Sequence, residues 1–266
     1  MTEQFEKTAI RNFAERVAVP LFTYRGSSQN VEDFDEIGTG TLFSHASRLF
    51  LVTANHVLDG TAIERIVVPH RHEGKADLIT LGNLRVMRPA DSFLDIAVLE
   101  ILGDRSGQKL RREWTIITKE MIAECPEQGS FLLVGYPSDV RNRQPTTADV
   151  EHPPFAILTS RLLGPPEDAI DNQHREPIFA DVDLFFAHHS KGRDDDGSLK
   201  KLPRLQGMSG CTVWWYRPAE ANKLWTPETH LRAVGIQSGM IADSYIRAKS
   251  WRWAVHAIEQ ATATAS

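Results

Sequence analysis

Three short stretches carry side chains suited to proton transfer or nucleophilic attack: Thr53-Ala54-Asn55-His56, Asp95-Ile96-Ala97-Val98-Leu99 and Gly207-Met208-Ser209-Gly210. A histidine titrates near neutrality, so an imidazole fixed at the end of a strand can take up and return a proton at physiological pH. Each stretch also has a plainer meaning. His56 alone fits a core histidine bonded to a backbone carbonyl. Asp95 before an Ile-Ala-Val-Leu-Glu run fits a strand-end cap, and a row of small residues such as Gly-Met-Ser-Gly makes ordinary β turns.

The elements that must position these residues are strands. Phe50 to Val52 is a run of large apolar residues that reads as a buried strand delivering His56 after a small-residue step. Gly38 to Phe43 and Leu49 to Ala54, split by a short polar turn, have the signature of a hairpin. Further strand candidates are 63–68, 77–81, 84–87 and 96–101, then 130–137, 156–163, 182–188, 209–216 and 231–238. Many short strands separated by polar turns mean an all-β barrel or sandwich. The expected order is an N-terminal helix over 1–18, a first barrel over 19–104 carrying His56 and Asp95, and a linker over 105–127. A second barrel over 128–241 would carry Ser209 and the specificity pocket, and a C-terminal helix would occupy 242–266, where Tyr245, Ile246, Lys249, Trp253 and His256 recur at helical spacing. The polar stretches 137–154, 164–177 and 190–201 read as loops.

Composition narrows the function classes. A net charge of -5 argues against a nucleic-acid partner, because phosphate binding needs a clustered basic surface. Two cysteines, Cys125 and Cys211, cannot build a disulfide scaffold, although one bridge between them stays open. The start, Met1-Thr2-Glu3-Gln4-Phe5-Glu6-Lys7, lacks the apolar core of a secretory signal, and no apolar run is long enough to span a bilayer. The expectation is a cytoplasmic protein without a membrane partner, unless a leader has been removed.

Taken together, the three stretches resemble the trypsin-like (chymotrypsin-fold) serine proteases, in their bacterial and viral forms without disulfides. The resemblance runs from about Val19 to the C-terminal helix, and the order His, Asp, Ser is the order that family uses. It implies two six-stranded antiparallel β-barrels with the active site between them, an acyl-enzyme mechanism and no cofactor. His56 would be the base that activates Ser209, and Asp95 would hold the imidazole in the required tautomer. The backbone N–H groups of Gly207 and Ser209 would form the oxyanion hole. Gln206, Gln237, Ser238 and Gly239 would bind substrate, the last three on a strand that pairs with the substrate backbone, with Ser238 near Asp95.

The chain departs from the family at Met208, where Asp is usual, at Cys211, where Gly is usual, and at Met240, where the pocket favours Gly. Met208 removes the switch in which that Asp receives a newly cut N-terminal amine. Pro203 stands where trypsin carries a pocket-bottom Asp, so preference for Arg or Lys is unsupported unless Asp181, Asp183 or Asp194-Asp195-Asp196 supplies charge. His70, His72, His188 and His189 show no metal-ligand spacing. Trp214, Trp215, Trp251 and Trp253 read as packing residues, and Cys211 as a small apolar one. The expected function is a serine endopeptidase acting on protein or peptide substrates, restrained by a regulatory protein partner or narrow specificity, in bacterial signalling or defence. Two other readings stay open: an inactive peptide-binding module of the same fold, and a serine esterase.

Overall fold

A computed structural model describes residues 3–24, 34–72, 75–88, 94–140, 154–193, 197–217 and 225–263, and these residues form sixteen strands and five α-helices. Helix α1 (Glu3–Val17) runs directly into β1 (Ala18–Tyr24), followed by β2 (Phe34–His45), β3 (Arg48–Thr53), β4 (Ile66–His72), β5 (Lys75–Thr80), β6 (Leu84–Met87) and β7 (Ala97–Ile101). Helix α2 (Asp104–Glu113) leads to β8 (Ser130–Gly135), β9 (Phe155–Thr159), β10 (Arg161–Leu162), α3 (Glu167–Asp171) and β11 (Asp183–Ala187). The remainder is β12 (Lys191–Arg193), β13 (Leu199–Lys201), β14 (Thr212–Tyr216), α4 (Pro227–His230), β15 (Leu231–Ile241), β16 (Tyr245–Ser250) and α5 (Trp251–Ala263). The chain is all-β with terminal helices, as expected.

Two antiparallel sheets of seven segments hold fourteen of these strands, in the orders β5-β4-β1-β2-β3-β7-β6 and β10-β11-β16-β15-β14-β8-β9, and β12 and β13 pair as a separate ribbon. The end segments of each sheet are consecutive in the chain. Residues 81–83 separate β5 from β6, and Ser160 alone separates β9 from β10, so each sheet curls until its ends approach. Pairing persists through both breaks, since Leu81 N–H donates to Ile66 O and Ala187 N–H to Ser160 O. Counting each broken strand as one, both sheets have six strands in the same circular order, 1-2-3-6-5-4. The topology therefore repeats where the sequence carries no repeat.

Apolar side chains from both sheets and both terminal helices share one core. Phe13, Ala14 and Val17 from α1 meet Phe50 and Val52 of the first sheet and Trp214 of the second. Trp251, Ala254, Val255 and Ile258 supply the buried face of α5, at the spacing of one helix stripe. Separate cores fill each curled sheet. Among the described residues no helix is long and apolar enough to cross a membrane.

Three expectations are corrected, and the question of a bridge between the cysteines is answered. The helix expected from 242 begins at Trp251, because Tyr245–Ser250 is β16, a central strand of the second sheet. Ile246-Arg247-Ala248-Lys249 alternates apolar and polar residues, but both faces of the strand are buried, Arg247 and Lys249 included. The expected linker over 105–127 contains helix α2, and Ile117 and Ile122 make β-bridges to Phe43 and Ala233, one in each sheet. Residues 190–201 contain the ribbon β12–β13, and 164–177 contain α3. Cys125 and Cys211 are both free thiols; Cys211 is buried among apolar residues, and burial pushes the Cys125 thiol up to about 11.

Candidate active site

His56 and Asp95 meet because their strands are neighbours. In the β3–β7 pair, Thr53 lies opposite Ala97, which brings the residues after β3 and before β7 to the same end of the sheet. His56 then stands on a single 3-10 turn, Asn55–Leu58, anchored by buried Val57 and Leu58. One Asp95 carboxylate oxygen accepts the His56 backbone N–H and the other contacts the ring Nδ1, each at 2.9 Å. Asp95 adopts φ +35, a conformation that L residues rarely take and that costs of order 1–3 kcal/mol, so its geometry is imposed by its surroundings. The Asp95 bond, assisted by the charges of Asp95, Asp59 and Glu176, raises the His56 pKa against the opposing effect of burial.

Ser209 belongs to a tight turn of the second sheet that is moored to the first. Met208 N–H donates to Leu205 O, Cys211 N–H to Met208 O and Gly210 N–H to Gln237 O. Gly207 and Gly210 adopt φ +97 and +89, which a side chain would strain. Thr39 of β2 is the mooring. Its N–H donates to Ser209 O at 2.8 Å, its hydroxyl donates to Gly207 O at 2.9 Å and accepts Tyr136 N–H, and its carbonyl accepts the Thr53 hydroxyl. Gly210 presses against the chain leading to His56, since a Cβ there would lie 2.1 Å from Thr39 O and 3.0 Å from Ala54 N.

These contacts bring the Ser209 and His56 backbones together, but among the described residues the Ser209 hydroxyl makes no hydrogen bond to the His56 ring. The backbone N–H groups of Gly207 and Ser209 likewise donate to no described residue, whereas those of Met208, Gly210 and Cys211 are all bonded. Two unspent donors therefore flank Met208.

The expected substrate-binding residues divide. Gln206 is exposed, and its carbonyl accepts Ser138 N–H and Oγ–H, which fixes the entry to the turn. Gln237 is buried, and its Nε2 donates to Gly239 O, so its side chain is used within β15. Ser238 sits in a bulge with its hydroxyl on Arg247 O rather than on Asp95. Gly239 faces open space. Pairing of β15 with β14 ends at Ile236–Thr212, so among the described residues Ser238–Ile241 has one edge without a neighbouring strand. Pro203 and Met240 are half-buried, the latter against the second core.

Of the acids that could have charged a pocket, the two described ones are occupied. Asp183 is fully buried between Arg247 and Lys249, and Asp181 pairs with Arg252. Asp194-Asp195-Asp196 and the side chains of His70 and His72 lie outside the described residues. Among the described residues no group of three or more potential ligands gathers at a metal-sized site. A cavity of about 640 Å³ between α5 and the 119–124 segment contains none of the candidate residues.

Sequence reading missed Thr39, Thr53 and Ser138. The one local signal was the pair of glycines around Thr39: a Cβ on Gly38 would meet Val57 and Ser209 O within 2.9 Å, and one on Gly40 would meet Leu51 at 2.7 Å.

No protein-family profile matches the sequence, and no curated protein matches it. Among solved structures that do match is one from work on aromatic interactions that drive the coupled folding and binding of the intrinsically disordered Sesbania mosaic virus VPg protein. It is 11% identical, with 89% of this chain and 93% of that chain covered, and a TM-score of 0.46, a likeness too distant to carry an argument.

Proposed function

We propose that the chain is a serine endopeptidase with a chymotrypsin-like double barrel, using Ser209, His56 and Asp95 on protein or peptide substrates. The observation that carries this reading is the two-point contact of Asp95 with His56 beside a turn that leaves the Gly207 and Ser209 amides unbonded. In this scheme Ser209 Oγ attacks the scissile carbonyl carbon and His56 Nε2 takes its proton. The carbonyl π electrons move to oxygen, where the two amides stabilise the charge, by about 3 kcal/mol per donor. Collapse breaks the C–N bond, and the imidazolium returns its proton to the departing amine. Water, activated by the same ring, then hydrolyses the ester. The open edge of Ser238–Ile241 would hold the substrate backbone as an added strand.

A second reading, an inactive peptide-binding module, is favoured by the lack of a Ser209–His56 hydrogen bond among the described residues. A fluorophosphonate probe separates the two. Covalent labelling of wild type that disappears in Ser209→Ala supports the enzyme. Complete inertness of correctly folded wild type between pH 6 and 9, with peptide affinity intact, supports the module.

A further inference from the structure

The segment that leads into Gly207 carries positive charge that has no partner among the described residues. In the ribbon β12–β13, Lys191 stands directly opposite Lys201. Both side chains are exposed, and neither has a hydrogen-bond or ion-pair partner among the described residues. Like charges directly opposite on paired strands are destabilising, so this pair weakens the ribbon unless an anion sits between them. Arg204 is also exposed; its backbone N–H donates to Asp139, while its guanidinium has no partner among the described residues.

Hydrogen bonds place this charge beside the candidate site. Leu202 N–H donates to Ser190 O at 2.9 Å, closing the ribbon next to the Lys191–Lys201 pair. Ser190 N–H donates to Asp243 Oδ1 at 2.6 Å, which ties that end to the turn after β15. The lysines therefore lie between the end of the open edge Ser238–Ile241 and the residues entering the serine turn. Arg204 precedes Gly207 by three residues, so chain reach keeps their Cα atoms within about 11 Å. Among the described residues the nearby acids are engaged, Asp243 by Ser190, Asp139 by Arg204 N–H and Asp183 by two buried cations; Asp194, Asp195 and Asp196, between the two strands of the ribbon, lie outside the described residues.

We propose that Lys191, Lys201 and Arg204 form a subsite for an anionic side chain of the bound peptide, a carboxylate or a phosphorylated residue. For cleavage this rests on the reading of Ser209 as a nucleophile; for binding it does not. The ribbon gives up some stability by opposing two lysines and recovers it when the anion is bound.

The test uses the full chain carrying Ser209→Ala and fluorescein-labelled peptides of one length bearing a central cluster of Glu, phosphoserine, Gln or Lys. Fluorescence anisotropy should give the Glu and phosphoserine peptides at least about tenfold higher affinity than the Gln peptide, an advantage that shrinks when salt is raised to about 0.5 M. Phosphoserine binding more tightly than Glu identifies the doubly charged group as the preferred anion; equal binding means that a carboxylate suffices. The Lys191→Gln/Lys201→Gln variant should lose the advantage while its Tm stays level or rises, because the repulsion is gone. Lys191→Arg/Lys201→Arg should keep the advantage. Equal affinity for Glu and Gln peptides, or a fall in Tm on neutralising the lysines, overturns the proposal. Binding of the Glu peptide without cleavage by wild type retains the subsite and removes the endopeptidase reading. Cleavage by wild type regardless of charge does the reverse.

Discussion

Asp95 grips His56 at two points, accepting its backbone N–H with one carboxylate oxygen and reaching ring Nδ1 with the other, both at 2.9 Å. A single hydrogen bond would leave the ring free to swing, whereas this pair fixes the residue's backbone and its tautomer together. The arrangement suits a base whose free nitrogen must stay aimed at one hydroxyl.

The first prediction follows from the resulting shift. The Asp95 hydrogen bond lifts the His56 pKa above its ordinary 6.5, and a general base works only when neutral, so activity should rise with pH through that elevated value. Asp95→Asn should move the rising limb to lower pH and cut kcat by about 10³–10⁴-fold. Stability runs the other way. A raised folded-state pKa contributes stability that is complete below the unfolded value and is lost as pH rises through the folded one. The ring is 43% exposed, so screening keeps that contribution small. A pH–rate profile and an NMR titration of His56 in Ser209→Ala check both signs; a limb unmoved by Asp95→Asn contradicts them.

Thr39 should matter more than a single buried hydroxyl suggests. Its hydroxyl satisfies Gly207 O and Tyr136 N–H, both buried, across the junction of the two sheets. Thr39→Val preserves shape and removes the hydroxyl that both groups use, at a cost of about 2–4 kcal/mol in urea denaturation. Labelling of Ser209 should fall as well, because the same bond holds the turn. Thr39→Ser should restore most of both properties; a valine variant as stable as wild type would contradict the role.

How far the sequence could be read depended on whether a feature announced itself locally. The β2–β3 hairpin and the His56 strand were legible because apolar runs and polar turns alternate there. The β16 strand was not, because Arg247 and Lys249 look like a solvated helix face until Asp183, more than sixty positions away, appears beside them. Helix α2 buries only Leu110 and so has no apolar stripe. The ribbon β12–β13 is short and almost wholly exposed, so nothing apolar marks it. The Thr39–Gly207 bond joins positions 168 apart, and in the chain only the glycines either side of Thr39 hint at it.

Asp183 illustrates the energetic side of such long-range pairing. Its fully buried carboxylate accepts from Arg247 Nε at 2.8 Å, Arg247 Nη2 at 2.9 Å, Lys249 Nζ at 2.6 Å and Phe179 N–H at 2.8 Å. Burial pushes its pKa up, but the bonds and charges of Arg247 and Lys249 outweigh that and hold it below the ordinary value. This contribution is present above the unfolded-state pKa, about 3.9, and is lost as pH falls through the folded one. Asp183→Asn leaves two buried cations facing a neutral group and should cost about 3–5 kcal/mol. Glu176→Gln, at a side chain 69% exposed, should stay within about 0.5 kcal/mol. Equal effects in urea titrations would mean that the buried cluster is not a stability determinant.

The N-terminal helix yields the last prediction. Under the proposed function, Met208 stands where vertebrate zymogens of the trypsin-like proteases carry an Asp that binds an amine freed by cleavage; it is 1% exposed in the second core. The turn is thus held by apolar packing and by Thr39, with no ion pair awaiting a new terminus. Helix α1 is itself part of the core: Phe13 packs edge-on to Trp214, with ring centroids 5.9 Å apart, and Ala14 and Val17 are fully buried. Deleting residues 1–17 removes these contacts, and the loss of Phe13 alone should cost about 3–5 kcal/mol. The shortened chain should melt lower and react with a fluorophosphonate no faster than the full chain. If the full chain is inert and shortening switches labelling on, the turn needs a freed amine after all, and its prebuilt state is refuted.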